Sequence, residues 1–227
     1  MLEKIDSPEA LKRLSVQELS DLAGEIRQKL IDTVLRQGGH LASNLGVVEL
    51  TLAIHYVFDL PQDKLVFDVG HQSYVHKLLT GRQAGFERLR EKGGVSGFPR
   101  PSESEYDAFV AGHASNALSA ALGMARARDL MGGHNHVLAL LGDGALTGGM
   151  CYEALNDAGQ THTRLIVILN DNEMSISRNV GALANHLTRM RQSNVYSGMK
   201  HGVKAALSHL PRGERAEQAV HNVKSRL

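Results

Sequence analysis

The chain has 227 residues, 42% of them hydrophobic and 22% charged, with a formal net charge of +1, the composition of an ordinary globular protein able to bury a substantial core. So small a charge argues against a nucleic-acid footprint or a polybasic membrane surface. The single cysteine, Cys151, excludes an internal disulfide and fits a reducing compartment, and the opening MLEKIDSPEA has no apolar signal region, so a cytoplasmic protein without nucleic-acid or membrane partners is expected.

Ser7-Pro8-Glu9 has the form of an N-cap, a proline at the first helical position and an acid in the first turn. A longer helix starts after Ser15: Ser15 and Glu18 make a capping-box pattern, and Leu19, Leu22, Ile26, Leu30 and Val34 recur at helical spacing as far as Gly38-Gly39. LGVVELTLAIHYVFDL is apolar nearly all round and predicts a buried helix over 46–58. KLVFDVGH predicts a short buried strand ending in glycine, and SYVHKLLTG a short helix. Residues 91–107, EKGGVSGFPRPSESEYD, carry glycine, proline and serine throughout and predict a long loop, a length uncommon unless functional or disordered. ASNALSAALGMARARDL predicts a small-residue helix suited to packing on a sheet. A strand over 136–141, the turn Gly142-Asp143-Gly144, a helix over 149–159 and a strand over 164–170 then form a βαβ unit, whose continuous apolar strands call for helices on both faces. From 175 onward the chain is polar and helix-biased. The expected fold is α/β, three layers with a mostly parallel central sheet covered by helices, with residues 1–210 as the domain and 211–227 as a polar tail.

In open α/β sheets, ligands bind beyond the carboxyl ends of the strands. Three strand ends here carry polar groups: Asp68 to His71, Gly142-Asp143-Gly144, and Asn170-Asp171-Asn172. The last two flank one crossover, so Asp143 and Asn172 are expected to lie close together. A carboxylate and an amide oxygen form a hard, oxygen-only ligand set suited to Mg²⁺ or Ca²⁺, and Mg²⁺ completes its shell with water and substrate phosphates. Asp143 would then hold the cation that meets a phosphate, while the flanking glycines let the backbone approach and the helix beginning near Thr147 offers N–H groups. Taken alone, Asp143-Gly144 is a common turn pair; the polar end of the next strand favours the cation. No P-loop, dinucleotide fingerprint, C-x-x-C, H-E-x-x-H or G-x-S-x-G motif is found, and Ser115 and Ser119 read as helix residues. His40, His71 and His113 each stand at an element boundary, where functional groups concentrate. Singly each favours a structural role; together, beside a cation-phosphate site, they point to proton transfer or cofactor contact near neutral pH.

A GDG turn followed after one crossover by N-D-N resembles the motif of thiamine-diphosphate enzymes, in which Mg²⁺ bridges the cofactor diphosphate to the protein. The longer words GGHLASNLGVVELTLAIHYVFD, FDVGHQSYVHKLLTGR, GGVSGFPRPSESEYDAFVAGHAS, GDGALTGGMCYEALNDAG and VILNDNEMSISRNVGAL are similar to the 1-deoxy-D-xylulose-5-phosphate synthase family of the transketolase superfamily, almost continuously from about residue 12 to 210. The resemblance implies thiamine diphosphate and Mg²⁺ as cofactors. Asp143, Asn172 and the Met174 carbonyl would be the metal ligands. Gly144 and Ala145 would meet the diphosphate through their backbone, and His71, Gly112, His113, Ala114 and Asn172 would contact the cofactor. His40 and His71 would be catalytic, His40 serving proton transfer at the substrate. It implies condensation of pyruvate with glyceraldehyde 3-phosphate, with release of CO₂, to a precursor of isoprenoids, thiamine and pyridoxal. Where the family continues its Gly-His with hydroxyl residues, this chain reads Ala114-Ser115-Asn116-Ala117.

Family chains run on into a second α/β domain and a C-terminal domain, which carry the glutamate that activates the aminopyrimidine. This chain is therefore expected to be a diphosphate-and-metal half-site, inactive alone. One subunit of a split transketolase-like enzyme and a non-catalytic Mg²⁺-diphosphate-binding module stand as alternatives. A truncated sheet is expected to expose apolar surface and to favour a homodimer.

Overall fold

The computed structural model describes residues 1–110 and 112–170, together with Arg189. The chain divides into two units, Met1–Arg178 and Asn179–Leu227, the first of which contains the sheet. The boundary expected near 210 and the polar tail lie outside the described residues.

After a short helix α1 (Pro8–Leu11) comes α2 (Val16–Gln37), started by the predicted box: Ser15 Oγ accepts the Glu18 N–H, and the Glu18 carboxylate accepts the Ser15 N–H at 2.7 Å. Ser7, at the N-cap of α1, makes no such side-chain bond. The helical repeat of α2 buries Leu22, Ile26, Leu30 and Val34 on one side; the first three are fully buried, each contributing about 1.5–3 kcal/mol of transfer free energy. They pack against α4 (Val48–Val57) and α5 (Tyr74–Leu79) through Val48, Leu52, Tyr74, Val75, Leu78 and Leu79. The helix expected over 46–58 is thus preceded by a separate short turn, α3 (Leu41–Leu45). Nor is α4 buried all round: Tyr56 and Val57 are exposed, because only the side carrying Val48, Leu52, Ile54 and His55 meets other elements.

Strands β1 (Lys64–Phe67), β2 (Val137–Gly142) and β3 (Ile166–Asn170) pair in parallel in the order β1-β2-β3. Side chains alternate between faces. Leu65, Phe67, Leu138 and Leu140 form one core layer with Ile54 of α4. Val66 and Ala139, in register with one another, face the other way, towards α6 (Ala117–Leu130), whose Ala117, Ala121 and Ala125 are fully buried and permit close approach. Helix α7 (Gly149–Thr161), the crossover from β2 to β3, packs beside α6. The three-layer α/β fold is as expected, with one departure. β3 is not buried on both faces: Ile166 and Ile168 join the core layer, while Val167 and Leu169 are 41% and 37% exposed. Helix α6 lies mainly over β1 and β2.

Residues 91–107 form no helix or strand, yet they are fastened from within. Lys77 Nζ pairs with Glu103 at 2.5 Å, and Arg82 Nη1 lies 3.0 Å from Glu103 Oε1 and 2.8 Å from Asp107 Oδ2. The same carboxylates accept the backbone N–H groups of Ser96 and Arg100, each at 2.7 Å. On its other side Asp107 meets His76 (Nε2 to Oδ1, 3.0 Å), and His76 Nδ1 is 2.9 Å from His55 Nε2. An ionised carboxylate only accepts, so the proton order is fixed: His76 Nε2 donates to Asp107, His55 Nε2 donates to His76, and His55 Nδ1 is left as a buried acceptor without a partner. Burial lowers the proton affinity of both imidazoles, that of His55 well below the usual value with neighbouring His76 adding to the effect. For Asp107 burial acts to raise the pKa, but hydrogen bonds from His76 and Arg82 outweigh it and hold the carboxyl far below the usual carboxylate range.

These shifts set a pH dependence. His55 and His76 bind protons less readily folded than unfolded, so on acidification the unfolded state gains protons first and the folded state loses ground. Stability is expected to be full above the ordinary imidazole value of about 6.5 and to fall as pH drops below it, by at most about 1.4 kcal/mol per pH unit for each histidine. Urea unfolding of the chain and of His55→Gln between pH 8 and 5 measures this; the variant should show the shallower slope, and equal slopes would refute the assignment.

Candidate active site

Parallel pairing brings the carboxyl ends of all three strands to one edge. Phe67 is in register with Leu140 and Gly142 with Asn170, so the turn Asp68–His71, the turn Asp143–Ala145 and the end of β3 at Asn170 lie on the same side of the sheet. Asp143 is half-buried, Gly144 exposed and Ala145 buried. Asn172 and Met174 lie outside the described residues. A 3₁₀ turn over Ala145–Thr147 comes after Asp143-Gly144, and α7 starts at Gly149, as the sequence predicts.

The first two turns are tied together through a third segment. Asp68, 1% exposed, directs Oδ1 to the Ser115 N–H at 2.8 Å and Oδ2 to the Ala117 N–H at 3.1 Å. Asn116, at the N-cap of α6, supplies no side-chain cap; a carboxylate from the end of β1 supplies it instead, where the helix dipole favours negative charge. Ser115 is not a helix residue as expected but precedes α6 in a left-handed conformation, φ 73°, from which its Oγ donates to the Ala145 carbonyl at 2.7 Å. Cys151 reaches the same carbonyl at 3.4 Å. Burial and then the Asp68 charge push its thiol pKa up, so it stays a neutral donor. A Cβ at Gly148 would stand 2.0 Å from Ser115 Oγ, so glycine there is a condition of the contact. Gly112, His113 and Ala114, all exposed, directly precede the Ser115 that makes this contact.

The turn after Asp68 also carries His71. It is strained: Val69, a β-branched residue, sits at φ 58°, a genuine outlier of the kind found where a function fixes the backbone. Gln72 and Ser73 stabilise it by donating to the carbonyls of Asp68 and Gly70. The His71 ring meets that of His40 edge-on, centroids 5.2 Å apart, and Phe98 from the long loop stands 6.4 Å from His40. Gly39 admits no side chain, since a Cβ would lie 2.8 Å from the Tyr74 hydroxyl. Burial lowers the pKa of both histidines, seconded by Arg90 at His40 and by His40 at His71. His71 Nδ1 is buried without a partner.

Of the residues singled out from sequence, His40 and His71 are brought into ring contact, and Gly112–Ala114 and Gly144–Ala145 are joined through Ser115. Sequence reasoning missed Asn44, Arg90 and the capping role of Asp68. Arg90, at φ 67°, stands among charged loop residues that composition does not distinguish. Asn44 had one visible signal, a polar residue one helical turn after His40 at the start of an apolar stretch. Among the described residues no group of three or more His, Cys, Asp or Glu side chains is placed to hold a metal ion.

The sequence profile of the 1-deoxy-D-xylulose-5-phosphate synthase family matches residues 2–227. Synthases of that name from Syntrophomonas wolfei and Thermomicrobium roseum are each 59% identical to the chain, over 93% and 97% of its length, and the one from Pelotomaculum thermopropionicum is 56% identical over 100%. The matched parts are 33%, 35% and 36% of those relatives, so the chain spans about a third of their length. A transketolase from Campylobacter jejuni has a similar structure, TM-score 0.63 at 26% identity, over 72% of this chain and 29% of that one.

Replacing Asp68 by alanine leaves the Ser115 and Ala117 N–H groups without their carboxylate. It is expected to cost about 2–3 kcal/mol of stability and to raise hydrogen exchange at Ser115, Ala117 and the Ala145–Gly148 turn ahead of the rest of the chain. Uniform exchange across the sheet would contradict the tie from Asp68 through Ser115 to that turn.

Proposed function

We propose, from the premise that this chain belongs to the 1-deoxy-D-xylulose-5-phosphate synthase family, that its sheet edge is the Mg²⁺-diphosphate half of a thiamine-diphosphate site. The complete enzyme would condense pyruvate with glyceraldehyde 3-phosphate, releasing CO₂. The observation that carries this reading is the convergence of the His40–His71 pair and the Asp143-Gly144 turn on one sheet edge. His71 there presents a buried nitrogen, Nδ1, that lacks a partner.

The residues present suit such a cofactor. A half-buried carboxylate next to an exposed glycine offers one hard oxygen ligand and an open backbone, and Mg²⁺ needs only one or two protein carboxylates when phosphate and water complete its octahedron. Asp143 would hold the cation with Asn172 and the Met174 carbonyl; Gly144 and Ala145 would meet the diphosphate; His71 and the exposed Gly112-His113-Ala114 segment would contact the remainder. Thiamine diphosphate, when bound, supplies the electron sink for loss of CO₂ from a 2-oxo acid.

The chain's own contribution is positional and protonic. Partial desolvation lowers the pKa of His40 and His71, which favours their neutral form at neutral pH, and a neutral imidazole both accepts and donates. His40, at the mouth of the pair beside Phe98, is suited to moving a proton at the substrate. The reading extends to a cytoplasmic homodimer, favoured by the exposed Val167 and Leu169 of β3. No helix among the described residues is long and apolar enough to cross a membrane.

Titration calorimetry of the chain with thiamine diphosphate should show saturable binding with Mg²⁺ and none with EDTA, and Asp143→Ala should weaken it at least about tenfold, the equivalent of one charge-assisted contact. Equal affinity in Asp143→Ala would remove the metal role from that carboxylate. Because the chain spans about a third of its relatives' length, it alone should not turn over pyruvate with glyceraldehyde 3-phosphate. Turnover by the isolated chain would refute the half-site reading.

A further inference from the structure

The two histidines belong to different elements, His40 to the turn before α3 and His71 to the turn after β1, and ring contact alone is a weak tie between them. A single buried amide joins their backbones. Asn44, fully buried, donates from Nδ2 to the His40 carbonyl at 2.6 Å and to the His71 carbonyl at 2.8 Å, while its Oδ1 accepts the Tyr74 N–H at 2.8 Å. Both protons of the amide and one oxygen lone pair are therefore used, each on a different stretch of backbone. The third bond supplies the start of α5, where Ser73 makes no side-chain cap.

We infer that Asn44 is a positioning residue that sets the spacing and facing of His40 and His71. The inference rests on the proposed function of that pair. No other residue type of this size meets the three demands. Aspartate keeps the acceptor for Tyr74 and places a carboxylate oxygen against two carbonyl oxygens. Serine and threonine have one proton for two carbonyls. Leucine, isosteric, leaves both carbonyls and the Tyr74 N–H unpaired in a dry interior, which is costly. The clamp acts on main-chain atoms, so the rings stay free to titrate and to meet a ligand while their Cα positions are held. It also explains why Gly39 must be bare: Asn44's third bond fixes Tyr74, and the Tyr74 ring fills the space against Gly39.

The test uses the chain itself, with Asn44→Ala and the isosteric Asn44→Asp. Folding is checked first by circular dichroism and unfolding. The ring-to-ring nuclear Overhauser effect between His40 and His71 is then measured, together with Mg²⁺-dependent affinity for thiamine diphosphate. Loss of that cross-ring signal in a folded variant, with binding weakened about tenfold, is the expected result. A folded variant that keeps the signal overturns the clamp, as does failure of both variants to fold while His40→Ala and His71→Ala fold normally, since Asn44 would then serve stability alone. If the unsubstituted chain binds no thiamine diphosphate, the functional reading fails on its own account, and the cross-ring signal still decides the clamp.

Discussion

A carboxylate that ends a buried strand has two oxygens to satisfy in a place where water is scarce, and in this chain Asp68 turns both onto the backbone in front of α6. Much of the candidate site hangs from that pair of bonds. They fix Ser115 in a conformation few non-glycine residues adopt, and from there its hydroxyl holds the turn after β2. They also set the origin of the strained turn that delivers His71 to His40. The sheet supplies only parallel strand ends at ladder spacing; Asp68 converts two of those ends into one constrained surface.

A second group of buried charges does a different job. Lys77, Arg82, Glu103 and Asp107 form a cluster in which desolvation offsets much of the attraction, so it is weak evidence of added stability. What the cluster does provide is a unique placement for a segment that has no repeating structure of its own. Removing one member would leave one uncompensated charge in a largely buried cluster, and the same pairs tie down the loop that carries Phe98.

The local features were legible in the sequence because their causes are local. The capping box at Ser15 and Glu18, the helical repeat of α2 and the βαβ unit around Gly142-Asp143-Gly144 all arise from neighbours within a few residues, and the parallel register comes from the crossover. What escaped depends on partners far along the chain. Asn44 bonds to His71 and Tyr74 across a separation no periodicity encodes. Ser115 looks like a helix residue until Asp68 is seen to cap the helix just beyond it. The exposed face of β3 is hidden in a sequence that reads as apolar throughout, since which strand a helix reaches is settled by packing. The loop over 91–107 has the composition of a disordered segment, and the cations at 77 and 82 reveal what Glu103 and Asp107 are for.

That same loop has a consequence for how the chain can change length. Glu103 and Asp107 stand close together in sequence, and each must land on a cation delivered by α5 or by the turn just after it. An insertion between them would move one carboxylate out of the cluster and bury a charge with no counterpart. Glu91, Lys92 and Gly93 are exposed, and the ties of the first two run to nearby Arg88 rather than to the buried cluster, so this stretch can gain neighbours at the modest entropic cost of a longer loop. Length variation within this architecture should therefore be lopsided, accumulating on one side of Ser96 and forbidden on the other.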